Sequence, residues 1–334
     1  MLTRRTLLAA SATALTAPLA APAIAQSRTK LRFAGGGVAL YGYMPFFIAI
    51  GQDLFAKHGL EADIAMFPGG ANAMQAVLGG SSDVACGFYE HTIQIAAKGG
   101  HLTAFVLQAQ NSGLALGVRA DLAGEIKTAA DLKGRKIGVS APGSATHLFA
   151  MAAMVKAGIK PNDAAAIGVG TTQTAIAAFQ SKQIDALSLF DPIIAELESR
   201  KEIVVLADAR NTAGSAALFG GPYASGSLYG ESTWLSKNEA PARMAAAAIV
   251  DAVNFLKKAT PEQAIAALQK GMCFLGSDVC EAAFTSNREA FNHDCTISQA
   301  QAETVKRAMG SFDQKIADAN VDLGPTFTNK LVKG

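Results

Sequence analysis

The sequence predicts an α/β protein of two lobes, each built on a mainly parallel sheet that is covered by helices. Short apolar segments typical of strands alternate with segments of helical period from residue 30 to about residue 190. The same alternation occurs twice, before and after residue 120. The chain has 334 residues, which is enough for two domains of roughly 150 residues each.

The first set of alternating elements predicts four strands. A strand at 30–34 precedes a helix at 43–55, and alternating apolar positions predict the next strand at 61–67. The remaining elements alternate between helix and strand, at 72–78, 83–87, 92–98 and 102–107. Because each helix returns the chain to the same end of the sheet, the strands are expected to pair in parallel.

The second set repeats this order, with strands at 136–139, 165–169 and 186–189 and helices at 146–157 and 172–180. Two segments without helical period, 114–118 and 215–222, flank it and are predicted to be the crossings between the lobes. The chain beyond them is predicted to be largely helical, at 241–258, after a Thr260-Pro261 cap and at 298–319. Lobe 1 is therefore expected to comprise 26–118 and 220–334, and lobe 2 is expected to comprise 119–219, with a cleft between them.

The first 25 residues have the pattern of a signal peptide. Arg4 and Arg5 precede an apolar run, and Ala23-Ile24-Ala25 forms an A-x-A cleavage pattern. The paired arginines favour the twin-arginine route over the general route, although both remain open. The Ala, Thr, Ser and Pro content argues against a membrane anchor. We therefore expect a soluble protein that is exported to the periplasm.

The charge balance excludes two classes of partner. The chain carries 29 basic and 27 acidic residues, and cleavage would remove Arg4 and Arg5 and leave a formal charge of zero. A neutral chain lacks the excess positive charge that binding to nucleic acid or to a charged membrane surface requires.

We expect the protein to be a monomer.

The four cysteines are spaced unevenly. Cys86 stands alone in an apolar stretch and is expected to be a small buried hydrophobic residue. Two of Cys273, Cys280 and Cys295 could pair in an oxidising compartment, but the spacing does not choose which two. The His293-Asp294-Cys295 run matches no common zinc pattern, so neither a metal nor a cofactor is predicted.

Three turns of small and polar residues are the candidate binding elements. They are Gly69-Gly70-Ala71-Asn72, the segment from Ser140 to Ser144, and Gly170-Thr171-Thr172-Gln173. Each follows a predicted strand and opens a predicted helix, whose first N–H groups have no partner within the helix. Capping is the usual role of such residues. Three turns on facing lobes favour a solute site beyond the carboxyl ends of the strands instead. No turn contains Arg or Lys, so an anion would be held by neutral donors and helix dipoles.

Residues that follow the strand ends extend this site. Aromatic rings could enclose the body of the solute, although core packing is the competing interpretation for Phe88 and Phe190. Glu90, His91 and Asp191 also follow strand ends and could be ordinary surface or capping residues. If they face the cleft, they would favour a solute with an amino group. The predicted ligand-binding residues are Tyr41, Tyr43, Gly70, Asn72, Tyr89, Glu90, His91, Ser140, Gly143, Ser144, Thr171, Thr172, Gln173 and Asp191.

No catalytic set is predicted. The residues around Ser140 lack the second glycine of a hydrolase nucleophile elbow. Ser144 and His147 are one helical turn apart, but no third orienting group accompanies them. The alternative hypothesis is an enzyme that uses His91 or His147 near the cleft to transform a pyrimidine-like or acyl substrate. Another is a sensor that presents its ligand state to a membrane receptor.

Several segments together resemble a known family. They are YMPFFIA at 43–49 with FAKHGL at 55–60, GG at 69–70 leading to DVA at 83–85, ADLKGRKIGV at 130–139 with PGS at 142–144, DA at 185–186, and FDP at 190–192. This combination is similar to the periplasmic solute-binding proteins of ABC importers, in the nitrate, sulfonate and taurine branch. That branch includes relatives that resemble the thiamine-pyrimidine synthase. The resemblance covers about residues 30 to 225.

The resemblance implies a two-lobe periplasmic-binding-protein fold of type II with a helical C-terminal region. It implies that the lobes close on a small organic anion, such as a sulfonate, a taurine-like compound or a carboxylate, including aromatic ones. The solute would then be delivered to a membrane permease. The resemblance also implies that Thr146 lines the pocket. The family often has Trp-Glu-Pro where this chain has Phe190-Asp191-Pro192, and the cysteine-rich motif of the pyrimidine synthases is absent.

Overall fold

The computed structural model describes residues 28–37, 41–268 and 272–333. The predicted signal peptide therefore lies outside the described residues. The described part contains ten strands: β1 Thr29–Gly35, β2 Leu60–Met66, β3 Val84–Phe88, β4 Leu102–Leu107, β5 Leu114–Arg119, β6 Lys136–Val139, β7 Ala165–Gly168, β8 Ala186–Phe190, β9 Ile203–Asp208 and β10 Gly226–Glu231.

Fourteen α-helices lie within the same described ranges, together with short 3-10 turns. They are α1 Met44–Gly51, α2 Leu54–Lys57, α3 Gly70–Leu78, α4 Glu90–Ala96, α5 Ala145–Lys156, α6 Gln173–Gln180, α7 Ile193–Ser199, α8 Thr212–Phe219, α9 Ser232–Lys237, α10 Glu239–Lys258, α11 Pro261–Ala266, α12 Ser277–Asn287, α13 Gln299–Gly310 and α14 Gln314–Asp318.

The strands form two five-stranded sheets of matching topology. The first has the order β2-β1-β3-β10-β4, and the second has the order β7-β6-β8-β5-β9. In each sheet one strand runs antiparallel to both of its neighbours, β10 in the first and β5 in the second. These are the two strands that follow the crossings between sheets. The other strands are parallel, as the alternation of strands and helices predicts.

The central strands are apolar because helices cover both faces of each sheet. All five residues of β3 are buried, as are all five of β8. Because the strands of each parallel set run in one direction, their carboxyl ends lie at the same edge of the sheet. A helix follows each of these ends: α3 follows β2, α4 follows β3, α5 follows β6, α6 follows β7 and α7 follows β8. These edges carry the predicted turns.

The first predicted crossing is wrong in position, whereas the second lies within the observed passage between the sheets but is largely helical and not extended. Segment 114–118 belongs to β5, where Leu116 pairs with Ser188 on one side and with Ala207 on the other. Most of 215–222 belongs to α8, because Asn211 caps that helix by accepting from the Gly214 N–H at 2.8 Å. The chain passes between the sheets at 108–113 and at 209–225. We accordingly place the first lobe boundary before β5 and not at residue 118.

Three further elements differ from the sequence-based expectation. The helix predicted at 43–55 is divided into α1 and α2 at Asp53, which has a left-handed φ of 52°. The helix predicted at 298–319 is divided into α13 and α14. The region predicted to be largely helical beyond the second crossing also contains β10, which completes the first sheet. The Thr260-Pro261 cap is confirmed, since Thr260 Oγ accepts from the Gln263 N–H.

The cysteines are distributed between one disulfide and two buried thiols. Cys273 pairs with Cys280, and Cys86 and Cys295 are free and buried. The pairing that the spacing left open is thus decided, and the expected burial of Cys86 is confirmed. Among the described residues, no helix combines the length and the apolar character needed to cross a membrane.

Candidate functional site

The first two predicted turns touch each other across the two lobes. The N–H of Ala71, in the first turn of α3, donates to Ser144 Oγ at 3.0 Å. A Cβ placed on Gly69 would lie only 2.7 Å from Ser144 Oγ and 3.0 Å from Ser140 Oγ. The lobes are therefore closed at this point, and a solute can enter only when they separate.

Ser144 occupies the N-cap position of α5, yet its hydroxyl makes no hydrogen bond to its own helix. Its oxygen accepts instead from Ala71 on the opposite lobe. Thr172 behaves differently, since it caps α6 by accepting from the Thr174 N–H at 3.5 Å. Capping thus accounts for the Thr172 hydroxyl but not for that of Ser144.

Hydrogen bonds within the second lobe hold the Ser140 turn in place. Ser140 donates its backbone N–H to Thr146 Oγ1 at 3.0 Å, and the two hydroxyls lie 2.9 Å apart. Ser188, at the buried centre of β8, donates to the Thr146 carbonyl at 2.7 Å. Gly143 has a φ of 83° and donates its N–H to His147 Nδ1 at 3.1 Å. The turn is therefore a pre-organised element.

The third turn lies beside the second within the same lobe. The Gly170 N–H donates to the Ser140 carbonyl at 3.1 Å. Thr171 is buried, whereas Gln173 is exposed. Asn72 of the first turn is also exposed. The backbones of the three turns thus form one continuous edge, although Asn72 and Gln173 point their side chains into solvent in this closed arrangement.

Aromatic rings from both lobes meet next to these turns. The ring centroids of Tyr43 and Phe88 are 5.5 Å apart, and Phe190 of the second lobe lies 5.4 Å from Phe88 and 6.2 Å from Tyr43. A Cβ on Gly42 would lie 3.2–3.3 Å from atoms of Phe88 and Phe190, which is a tight contact. All three rings are buried, and they form part of the contact between the lobes.

The hydroxyls of Tyr41 and Tyr89 are engaged by the C-terminal region. Tyr41 donates to the Cys280 carbonyl, and Tyr89 shares a hydrogen bond with Thr326 Oγ1. Tyr41–Tyr43 is a buried 3-10 turn. Both tyrosines keep a ring in the core, and a ligand-binding role for either remains a prediction.

Glu90 opens α4 and is 2% exposed. One carboxyl oxygen, Oε1, accepts a hydrogen bond from the Tyr223 hydroxyl, and Oε2 has no partner. Burial raises the pKa of Glu90 to about 8, because the charged form loses its hydration. The side chain is therefore mostly an uncharged acid at neutral pH.

His91 is fully buried beside Glu90. Its Nδ1 lies 2.9 Å from the Tyr229 hydroxyl, and its Nε2 has no partner. Burial lowers the pKa of His91 to about 4, so the imidazole is neutral at physiological pH. Sequence reasoning missed Tyr229, because it lies on β10, a strand that the pattern did not indicate.

Asp191 is also fully buried, but protein groups surround its carboxylate. Asn287 Nδ2 donates to Oδ2 at 2.7 Å, the Ala195 N–H donates to Oδ1 at 2.9 Å, and Arg210 Nη1 lies 3.5 Å away. Burial raises the pKa of Asp191 to about 6, although Arg210 opposes this shift. Asp191 thus links β8 to α12 in the closed arrangement.

The surface cavities lie away from these turns. One of about 870 Å³ opens between α13 and α14 and is lined by groups of both charges, including Glu303 and Arg307. None of the predicted site residues lines it. At Ala71 and Ser144 the turns of the two lobes are in direct contact.

Comparison with known proteins identifies relatives of this chain. A model of the family described as NMT1/THI5 like matches residues 42–264. A curated relative from Brucella abortus, provisionally named a binding protein, is 34% identical over 152 residues. That alignment covers 45% of this chain and 45% of the relative, so less than half of the relative's length is matched.

Solved structures extend the likeness to the whole fold. A protein from Bordetella bronchiseptica has a TM-score of 0.88 and 36% identity, over 92% of this chain and 96% of that chain. The alkanesulfonate-binding protein SsuA from Xanthomonas axonopodis pv. citri, bound to MOPS, has a TM-score of 0.72 and 18% identity, over 91% and 99%. The predicted two-lobe periplasmic-binding-protein fold is confirmed.

Proposed function

The chain belongs to the NMT1/THI5-like family, and on this premise we propose that it is the solute-binding component of an ABC importer. The protein would act in the periplasm as a monomer and deliver its solute to a membrane permease. The solute would be a small organic anion, such as a sulfonate, a taurine-like compound or a carboxylate, including aromatic ones. The alkanesulfonate-binding structure with the same fold supports this class of solute.

The main support for the proposal is that the N-termini of α3 and α5 meet. The first turn of α3 and the N-cap of α5 come from different lobes and meet at the Ala71–Ser144 hydrogen bond. N–H groups at a helix N-terminus lack partners within the helix and attract negative charge. An anionic group placed between α3 and α5 would accept from both helices at once, and it would replace the direct contact between the lobes.

The available interactions are sufficient for useful affinity. Micromolar binding requires about 8 kcal/mol. Each hydrogen bond to a charged group contributes about 1.5–3 kcal/mol, and a helix N-terminus contributes roughly 0.3–1 kcal/mol. A few such bonds, together with contact to the rings of Tyr43 and Phe190, reach that total without an arginine or a lysine.

Binding would proceed by hinge closure. The two segments that pass between the sheets, 108–113 and 209–225, would act as hinges, since they connect the lobes. In the open state the Ala71–Ser144 contact would be broken and the solute could enter. Contacts made only with both lobes would then favour the closed state.

The test is ligand-induced stabilisation of the mature protein. Thermal unfolding is measured with ethanesulfonate, taurine, propionate and benzoate, and isothermal titration is performed for each compound that stabilises. Ser144→Ala should abolish most of the stabilisation, whereas Ser236→Ala, which removes an exposed hydroxyl on α9, should not. Unchanged binding in Ser144→Ala would count strongly against this site.

An enzyme on the same scaffold is the second candidate. The observation that favours it is the buried His91 imidazole, whose Nε2 has no partner. Mass spectrometry of a compound recovered after incubation would separate the two functions. Turnover that is lost in His91→Ala would support an enzyme, and recovery of unmodified compound would support a binding protein.

A further inference from the structure

A segment of the C-terminal region lies across both passages between the sheets. It comprises residues 277–291, that is, α12 and the 3-10 turn that follows it, and we call it the clasp. In the first passage, Gln110 donates its backbone N–H to the Ala290 carbonyl and its side-chain amide to the Glu289 carbonyl, each at 2.9 Å. In the second passage, the Thr212 N–H donates to Glu289 Oε2 at 2.9 Å. The clasp therefore contacts both segments that connect the lobes.

The clasp is anchored to the first lobe. The Tyr41 hydroxyl donates to the Cys280 carbonyl, and the disulfide to Cys273 fixes the start of α12. Arg288 Nη2 donates to the Ala259 carbonyl at 2.7 Å, directly after α10, and α10 packs against α1 and α2 of the first lobe. We therefore expect the clasp to move with the first lobe.

A buried hydrogen bond ties the clasp to the second lobe. Asn287 is the last residue of α12, and its Nδ2 donates to Asp191 Oδ2 at 2.7 Å. Asn287 is 1% exposed and Asp191 is fully buried, so water does not compete for this bond. A hydrogen bond to a carboxylate is among the stronger ones. The helix α12 also packs against α7, which begins just after Asp191.

The orientation of the Asn287 amide follows from its neighbours. The Asp191 carboxylate and the Ala283 carbonyl are both acceptors, so the amide nitrogen must face them. Oδ1 is then buried without a partner, and a Cβ placed on Gly113 would lie 3.4 Å from it. A buried acceptor without a partner is unfavourable. The bond to Asp191 must offset that cost, which makes it the main favourable contact of this side chain.

The same two elements also contact each other directly. The Tyr41 N–H, in the first lobe, donates to the Asp191 carbonyl, in the second lobe, at 3.4 Å. Tyr41, α12 and Asp191 thus form a closed ring of contacts. Tyr41 cannot move away from Asp191 unless the clasp gives up its hold on one of them.

We propose that the clasp is a latch that limits opening of the lobes, and that Asn287 is the positioning residue that ties it to the second lobe. All of its contacts are made by the protein itself, so the latch favours the closed arrangement before any solute arrives. A solute enters only when the lobes separate, so the latch would set how often the cleft opens. This inference does not depend on the class of solute.

Exchange of the Ala71 amide hydrogen reports on the latch. Its acceptor is Ser144 Oγ on the other lobe, so exchange with solvent requires the lobes to separate at this point. The rate is measured by nuclear magnetic resonance on the mature protein at pH 7, without added solute. Asn287→Leu removes the tie at similar volume and should increase the Ala71 rate roughly 10- to 100-fold. Asn292→Ala, which changes an exposed asparagine just beyond the clasp, should leave the rate unchanged.

Tyr41→Phe tests the anchor on the first lobe. It removes the hydroxyl that donates to Cys280 and keeps the ring, and it should also accelerate exchange at Ala71. The two ties act in series through α12, so breaking either one releases the latch. The double variant Tyr41→Phe with Asn287→Leu should therefore exchange no faster at Ala71 than the more affected single variant.

The outcomes decide between a latch and a purely local role. Faster exchange within α12 of Asn287→Leu, with an unchanged rate at Ala71, would show that Asn287 stabilises only its own helix and would overturn the latch. Effects that multiply in the double variant would overturn the arrangement in series. Circular dichroism checks folding, and if Asn287→Leu does not fold, an unchanged Ala71 rate in Tyr41→Phe overturns the latch. The proposed capture of organic anions has its own test and would stand in each of these cases.

Discussion

Ala71 and Ser144 form a hydrogen bond between the two lobes, with the Ala71 N–H donating to Ser144 Oγ at 3.0 Å. Each residue stands at the start of a helix, α3 in one lobe and α5 in the other. An N-cap serine ordinarily accepts from its own helix. Here the Ser144 hydroxyl forms a hydrogen bond between the lobes, so it should stabilise the closed arrangement and not the helix α5.

We expect Ser144→Ala to loosen the lobes without weakening α5. The variant loses one hydrogen bond, which is worth about 1 kcal/mol, while helix content measured by circular dichroism should stay the same. Thr172→Ala is the matched comparison, because it removes a cap from α6 at a cost of about 0.5–2 kcal/mol. Small-angle X-ray scattering should show a larger radius of gyration for Ser144→Ala only. An increase in both variants would contradict the distinction between the two hydroxyls.

Gly69→Ala should prevent full closure. The added Cβ would lie 2.7 Å from Ser144 Oγ, which is closer than real Cβ atoms approach other atoms, and it would make a tight contact of 3.0 Å with the Ala141 Cβ. Backbone strain does not contribute, since Gly69 is extended, with φ −165° and ψ 167°. Scattering should show an expanded particle. Gly124→Ala, where a Cβ meets no atom within 4 Å, should keep the original dimensions. A compact Gly69→Ala protein would show that the turns need not touch.

Reduction should destabilise the protein through the Cys273–Cys280 disulfide. The two residues are seven positions apart, and closing such a short loop contributes about 2–3 kcal/mol in the chain-entropy model. The bond also holds the Cys280 carbonyl, which accepts from the Tyr41 hydroxyl. A reductant should lower the melting temperature by roughly 5 °C. Cys273→Ala with Cys280→Ala should abolish this sensitivity, whereas Cys86→Ala should preserve it.

Stability should fall as the pH rises through the range where Glu90 ionises. Its folded-state pKa is about 8, above the ordinary value of 4.5, so the folded protein binds more protons than the unfolded chain between those two values. The free energy of unfolding therefore decreases by up to roughly 1.4 kcal/mol per pH unit from this group. Denaturant unfolding of the unmodified protein and Glu90→Gln, from pH 5 to 8, isolates the effect by subtraction. Parallel profiles would show that Glu90 is not buried as an uncharged acid.

Local patterns were sufficient for the fold class and for the position of the turns. A strand, a turn of small residues and a helix are each encoded within a few neighbouring residues, and parallel strands bring such turns to one edge. The turns at Gly69 and Ser140, 71 residues apart in sequence, could therefore be assigned to one site, and they touch. The same reasoning could not find β10, because a short segment with glycine at two of six positions has no strong strand character by itself. Its pairing with β3 and β4 makes it a strand.

The sequence by itself determined the two-lobed α/β architecture, the turns at the strand ends and the absence of a basic group in those turns, since all of these depend on residue type and short-range order. Tertiary structure alone decided that Ser144 contacts the other lobe, that Cys273 pairs with Cys280, and that Glu90 is an uncharged acid beside a neutral His91. These properties depend on which distant residues become neighbours and on how completely they exclude water. Proximity and desolvation arise only when the chain is folded.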